Sequence, residues 1–252
     1  MPLNVVITMA GRGSRFYAAG YTVPKYEIMA HGRSLFDWSM LSLKNFLTPD
    51  ARVVFVCLKE NDSASYVRQR CDALGLRDVY VIELDQITDG QATSAYMSRE
   101  CWLPTEPLLI YNIDTYVNPQ VLKPDLVRLD SAGWVPCFQV PGEHWSFVEL
   151  GEDGWAVDLA EKRRISNFAS IGLYWFARAD SFEQAYERFF ADDNNLVRGE
   201  RYIAPLYRQL ISEGKKVSIA DLPLDAIHVL GTPAELEAFL ALDLSEQLIA
   251  AL

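Results

Sequence analysis

The chain has 252 residues, half of them apolar, and a formal net charge of −11, which is enough material for a full hydrophobic core and excludes a disordered chain. The acidic balance argues against a nucleic-acid partner, which needs a basic face, while a small phosphorylated ligand needs only a few local cations. No apolar run is long enough to span a bilayer and no basic start leads into an apolar core, so the sequence reads as cytoplasmic with no membrane partner.

The first element sets the theme. Val5-Val6-Ile7 is the β-branched apolar run of a strand buried on both faces, and it stops at Ala10, where Gly11 and Gly13 flank an arginine. Glycines there bare the backbone N–H groups to an anion, and Arg15 and Lys25 add two positive charges. A polyphosphate site follows from that combination. It is neither a dinucleotide fingerprint, which needs a glycine where Phe16 stands, nor a P-loop, which ends in Gly-Lys-Ser/Thr. The segment Tyr17 to Tyr21, between this loop and Pro24-Lys25, is read as a lid.

Farther on, a helix is predicted over Leu35–Phe46 with Ser34 as its cap, a strand over Arg52–Leu58, and a helix over Ser63–Leu74 ended by Gly75. A strand over Val79–Leu84, a helix over Thr93–Trp102 and a strand over Leu108–Tyr111 continue the alternation, which argues for a parallel sheet with helices on both faces. Ligands of such sheets bind at the carboxyl ends of the strands, where both the glycine loop and Asp114 fall. Mg²⁺ wants one or two carboxylates with phosphate oxygens and waters, so Asp114 is the candidate metal ligand.

The second half is less regular. Strands are predicted over Trp134–Val140, Trp145–Leu150, Ile171–Phe176 and Lys216–Ile219. Helices are predicted over Phe182–Phe190, Ile203–Ile211 and, from a Thr232 cap, Pro233–Leu242, with a short helix or frayed end over Ser245–Leu252. The four cysteines and three histidines are scattered, without metal-ligand or nucleophile–base spacing.

In order along the chain stand Ala10-Gly11-x-Gly13-x-Arg15 with Pro24-Lys25, Asp89-Gly90-Gln91-Ala92, Asn112-Ile113-Asp114, Glu161-Lys162, Ser166 to Tyr174, and Gly231-Thr232-Pro233. The chain resembles the sugar-1-phosphate nucleotidyltransferases (nucleotide-sugar pyrophosphorylases) from Val5 to about Phe239. Through residues 111–117 and 144–147 it looks like the members found in bacterial capsule and surface-polysaccharide clusters. The resemblance implies an α/β fold, a Rossmann-like, mostly parallel mixed sheet of the nucleotide-diphospho-sugar transferase type. It also implies transfer of a nucleotidyl group from an NTP to a phosphorylated acceptor, a sugar 1-phosphate in the first instance, with Mg²⁺ as cofactor.

Carried over residue by residue, it puts Ala10, Gly11, Gly13, Ser14 and Arg15 on the leaving phosphates and Lys25 at the α-phosphate. Gly90 and Gln91 fall at the base with Gln86 beside them, and Asp114 on the metal. Glu161, Lys162, Gly172 and Arg198 fall on the acceptor side, with Lys162 on the acceptor phosphate. Many relatives carry a second metal-binding aspartate where this chain has Val229; Asp225 and His228 are the nearby substitutes, Asp225 being the named candidate. The chain reads as one domain over residues 1–252, with a nucleotide-binding part at about 1–117 and an acceptor-binding part at about 118–252, and a homo-oligomer is left open. Two alternatives stand beside this reading: a glycosyltransferase using a nucleotide-sugar, which would usually carry Asp-x-Asp where Asp114 is followed by Thr115-Tyr116, and a nucleotide-binding regulator without catalysis, suggested by Val229.

Overall fold

The computed structural model describes residues 2–243; the tail over Ser245–Leu252 lies outside the described residues. In chain order the elements are β1 (Leu3–Thr8), α1 (Ser14–Ala18), β2 (Met29–Ala30), β3 (Arg33–Ser34), α2 (Leu35–Ser42), β4 (Ala51–Leu58), α3 (Ser63–Ala73), β5 (Asp78–Leu84), α4 (Gln91–Tyr96), β6 (Leu108–Asn112) and β7 (Thr115–Val117). Then follow β8 (Gly133–Gln139), β9 (Ser146–Leu150), β10 (Ala156–Glu161), β11 (Phe168–Ser170), β12 (Leu173–Phe176), α5 (Ala179–Phe189), α6 (Tyr207–Ser212), β13 (Val217–Asp221), β14 (Ile227–Val229) and α7 (Pro233–Leu240).

A ten-stranded sheet runs β10–β9–β11–β8–β12–β6–β1–β4–β5, with β13 added beside β8. Strands β6, β1, β4 and β5 are mutually parallel, as βαβ connections require. From β12 outward the neighbours along that order are antiparallel. The fold is thus a Rossmann-like α/β mixed sheet, its parallel order concentrated in the N-terminal half.

Period-two alternation explains why β1 reads as continuously apolar. Val6, Val54 and Ile110 pack on one face with Trp102, Phe182 and Tyr186, while Val5, Ile7, Phe55 and Tyr111 pack on the other with Phe36, Met40 and Val67. A third apolar cluster joins Phe16, Trp38, Tyr116, Leu236 and Phe239, and so ties the glycine loop to β7 and α7. Phe16 is buried and Tyr21 packs edge-on against it, so both ends of the segment read as a lid are anchored. Ser34 caps α2 with Asp37 reciprocating, and the Thr232 hydroxyl accepts from the Glu235 N–H at the start of α7.

Several expectations are corrected. The predicted strand over Ile171–Phe176 is broken at Gly172, whose φ of 82° separates β11 from β12. The helix over Thr93–Trp102 closes at Tyr96 and continues as a 3₁₀ turn over Arg99–Cys101; that over Ile203–Ile211 begins as a 3₁₀ turn and becomes α6. Strands β2, β3, β7, β10, β11 and β14 have no counterpart among the predicted elements.

Gly90 locks the parallel half to the segment before α6. Its φ is 144°, and a Cβ there would stand 2.3 Å from the Arg201 carbonyl oxygen and 2.6 Å from the Arg201 nitrogen. Two backbone hydrogen bonds fasten the crossing, Arg201 N–H to Asp89 at 2.7 Å and Ala92 N–H to Arg201 at 3.0 Å. Gly90→Ala therefore forces apart two backbones rather than a pliable side chain. A loss of at least about 2 kcal/mol in urea unfolding is expected, and a wild-type midpoint would contradict this account.

Candidate active site

Three loops meet at the carboxyl ends of the parallel strands: the one after β1, the one after β5 and the end of β6. They wall a cleft of ≈ 400 Å³ lined by Thr8, Ala10, Gly11, Lys25, Thr88, Gly90, Gln91, Ser94, Asn112, Asp114 and Glu200, among others. Gly11 has open space where a Cβ would stand, so its backbone faces the cleft bare. Gly13, in the left-handed region at φ 64°, caps α1 and packs against the Lys25 stem. Ser14 and Arg15 begin α1 and are exposed beside the cleft rather than lining it.

Lys25 reaches across from the loop after β1 to the end of β6, its Nζ 2.7 Å from Asp114 Oδ2, with both side chains more than four-fifths buried. Burial alone would push the Asp114 carboxyl up. The charge and hydrogen bond of Lys25, a hydrogen bond from Asn112 and the charge of Arg15 outweigh it and hold the group below its usual range. Asp114 is thus an ionised carboxylate on a sheltered wall, and Arg15 acts on it electrostatically.

A second cavity of ≈ 170 Å³ adjoins the first through two shared residues, Gln91 and Asn112. Its other walls include Ser146, Glu161, Ser170, Tyr174, Tyr202 and Gly172, with His144 and Trp145 at one side. Glu161 accepts a short hydrogen bond from the Ser146 hydroxyl, which also contacts Tyr174 Oη at 3.0 Å. Burial pushes the Glu161 carboxyl up, with the Ser146 bond and the Lys162 charge opposing it. Lys162 adopts a left-handed backbone (φ 52°) and lies behind the wall: its Nζ donates to the Tyr202 hydroxyl and sits 4.4 Å from that ring's centroid. Gly172 lies against Asn112, where a Cβ would fall 2.1 Å from Oδ1.

The other candidates are more distant. Arg198 stands exposed with Gly199 at the tip of a turn closed by Val197 and Glu200, both tip residues in the left-handed region. Gln86 is exposed and lines neither cavity. Asp225 is not brought to Asp114: β14 runs antiparallel to β7, so Leu230 meets Asp114 while Ala226 meets Asn118, and Asp225 lies past the far end of that ladder. His228 faces away as well, stacked on Tyr116 and packed on Phe239, with burial pulling its pKa down. Among the described residues no three His, Cys, Asp or Glu side chains cluster as a ready-made metal site.

Thr8, Thr88, Ser94 and Tyr202 line the cavities without having been singled out in the sequence. Thr8 ends β1, and its hydroxyl accepts from the Gln91 amide at 3.0 Å, so its position was there to be read; Tyr202 carries no local signal. Of the aromatics near the second cavity, Trp145 lines it and Phe147 is core.

Glu161 gives a pH test. A carboxyl whose native pKa lies above its ordinary 4.5 favours folding below that value and loses the advantage as pH rises through the raised pKa. Glu161→Gln is therefore expected to raise the urea midpoint near neutral pH and to lose that gain below pH 4.5, where the native group is itself neutral. A gain independent of pH would refute burial as the cause.

No protein-family model matches the chain, and no curated protein does either. Among solved structures, the nucleoside-diphosphate-sugar pyrophosphorylase from Vibrio cholerae RC9 superposes with a TM-score of 0.88 at 34% identity, covering 94% of this chain and 100% of that one. The inositol-1-phosphate CTP transferase from T. maritima gives 0.72 at 17% identity, covering 98% and 95%. The CTP:phosphocholine cytidylyltransferase from Streptococcus pneumoniae gives 0.71 at 16%, covering 95% and 98%. The last two share the fold alone. A third of positions identical over the whole length of the Vibrio enzyme is a stronger relation: this chain belongs to the sugar-1-phosphate nucleotidyltransferase family, the nucleoside-diphosphate-sugar pyrophosphorylases, and is a nucleotidyltransferase.

Proposed function

We propose that the larger cleft binds an NTP and the smaller cavity a phosphorylated acceptor, a sugar 1-phosphate by the family resemblance of the sequence. A phosphate oxygen of the acceptor attacks the α-phosphorus, the bond from that phosphorus to its bridging oxygen breaks, and pyrophosphate leaves. The observation that carries this reading is the adjacency of the two cavities through Gln91 and Asn112, with the Lys25–Asp114 pair on the wall of one and Glu161 on the wall of the other. Such transfer asks a protein for positioning and charge compensation more than for a nucleophile. In this reading Gly11 and Gly13 with Ser14 and Arg15 receive the leaving phosphates, and Lys25 neutralises the α-phosphate. Gly90 and Gln91 border the base, and Lys162 and Arg198 attract the acceptor phosphate. Glu161 and the surrounding hydroxyls receive the acceptor's polar groups.

The residues present fit a divalent cation. Asp114 stays ionised on the cleft wall, an oxygen donor that suits Mg²⁺, which wants one or two carboxylates with phosphate oxygens and waters. When bound, the ion would neutralise and orient the phosphates, held by Asp114. We place the reaction in the cytoplasm, and in surface or capsular polysaccharide synthesis on the resemblance of residues 111–117 and 144–147.

The test is pyrophosphate release with CTP, UTP, dTTP, GTP and ATP, each against a panel of phosphorylated acceptors. One nucleotide–acceptor pair is expected to turn over, and silence across the panel would remove the proposal. Lys25→Ala and Asp114→Asn are each expected to lower kcat/KM by about 10²–10³, the loss typical of one preorganised charged group. Near-wild-type rates in either variant would remove that residue's role.

A further inference from the structure

We infer that Tyr202 is a positioning residue for the transfer: its hydroxyl holds the Lys162 ammonium in place for the acceptor phosphate without cancelling its charge. The inference rests on the reading above that Lys162 attracts that phosphate.

A lysine side chain is a flexible stem with a point charge at its end, and ordering it when a ligand arrives subtracts from affinity. Two lysines near these cavities are held in different ways. Lys25 is held by a carboxylate, with Asp114 Oδ2 at 2.7 Å. Lys162 is held by a neutral group, its Nζ donating to the Tyr202 hydroxyl, and among the described residues no carboxylate comes within ion-pairing reach of it. Burial, and after it the Glu200 carboxylate, raise the Tyr202 phenol above its ordinary pKa, so it meets Lys162 as an uncharged hydroxyl. Such a hydroxyl accepts one of the three ammonium N–H groups. The other two, and the full positive charge, are left for phosphate oxygens.

Both partners are fixed by their backbones. Lys162 has φ 52°, a left-handed conformation that a non-glycine residue keeps only where its surroundings over-determine it, and its N–H donates to the Trp145 carbonyl at 2.9 Å. Tyr202 follows Arg201, whose backbone is fastened to Asp89 and Ala92. The Arg201 guanidinium lies 3.0 Å from Asp89 Oδ2 and 5.5 Å from the Phe190 ring centroid. This anchored segment delivers one residue to each cavity, Glu200 to the larger and Tyr202 to the smaller. The Tyr202 hydroxyl is therefore a fixed post on the acceptor side, and it is what ties Lys162, which lines neither cavity, to the wall of the smaller one.

The experiment titrates inorganic phosphate, the group that every acceptor shares, into the full-length protein at low salt and reads the heat of binding across a double-mutant cycle. Lys162→Met is expected to weaken phosphate binding at least about tenfold, as loss of a charged donor does. Tyr202→Phe keeps the ring on the wall. It is expected to weaken binding about three- to tenfold, the size of one side chain left to be ordered, and to have no further effect in the Lys162→Met background. With the pair that turns over in the pyrophosphate-release screen, Tyr202→Phe then raises KM for the acceptor by a similar factor and leaves KM for the nucleotide unchanged. Wild-type phosphate affinity in Tyr202→Phe overturns the inference, and so does an equal loss with and without Lys162, which makes the tyrosine a wall and nothing more. Either result leaves Lys162 as the phosphate's partner. Phosphate binding that is alike in wild type and Lys162→Met, or absent from both, instead removes the acceptor-side role of Lys162 and this inference with it.

Discussion

The 2.7 Å contact between Lys25 Nζ and Asp114 Oδ2 joins two loops that are 89 residues apart in sequence and that both end parallel strands. Each charge would be expensive to shelter alone, and each makes the other tolerable. The pair therefore does more than stabilise: it keeps an ionised carboxylate and an ammonium facing a sheltered cleft before any ligand arrives. A phosphate entering that cleft meets a cation already desolvated and aimed, so little reorganisation remains to be done when the reaction begins.

The rest of the architecture fixes where a second substrate can stand relative to that pair. The sheet changes from parallel to antiparallel between β6 and β12, and the two cavities lie on either side of this change. Two close approaches set their spacing: Gly172 against the Asn112 side chain, and Gly90 against the Arg201 backbone. Both glycines have positive φ, and both lie where a side chain would push the halves apart. Asn112 and Gln91 thus belong to both cavities because the backbone around them has nowhere else to go. In a transfer between two bound substrates such rigidity has chemical value, since small misalignments of attacking oxygen and phosphorus are costly in rate.

How much of this was legible in the chain follows from the same geometry. The parallel half was readable because β1, β4 and β6 are buried on both faces and its strands are separated by helices with their own cap or stop, as with Ser34 and Gly75. Beyond that half β8 and β9 were readable, but β7 and β11 were not, being three residues each and too short for a period, and β12 is cut from β11 at Gly172. In the site, the motif residues Gly11, Lys25, Gly90, Gln91, Asp114 and Glu161 come together on the cavity walls. Asp225 misled because nearness in sequence to Gly231 says nothing about direction. On a short antiparallel ladder the five residues from Leu230 to Asp225 carry the chain away from Asp114. Glu161 and Lys162, adjacent in sequence, diverge for a similar reason: the left-handed backbone at Lys162 sends one side chain into the cavity and the other behind Tyr202.

The acidity of the protein bears on selectivity. With a net charge of −11, the molecule as a whole repels phosphorylated ligands, so binding must come from local cations placed where that field is overcome. In the proposed function that role falls, on the larger cleft, to Lys25 and, at its edge, Arg15. The smaller cavity is different in kind. Its polar walls are hydroxyls and amides around one buried carboxyl, beside Trp145, Ile171 and Val229, and Lys162 is set back, its ammonium held on the Tyr202 hydroxyl. Such a lining rewards donors of hydrogen bonds deep in the cavity and tolerates anionic charge only near Lys162. An acceptor with a polar, hydrogen-bond-donating body and a single phosphate at one end meets both demands, whereas a second negative group buried next to Glu161 would be left without a partner.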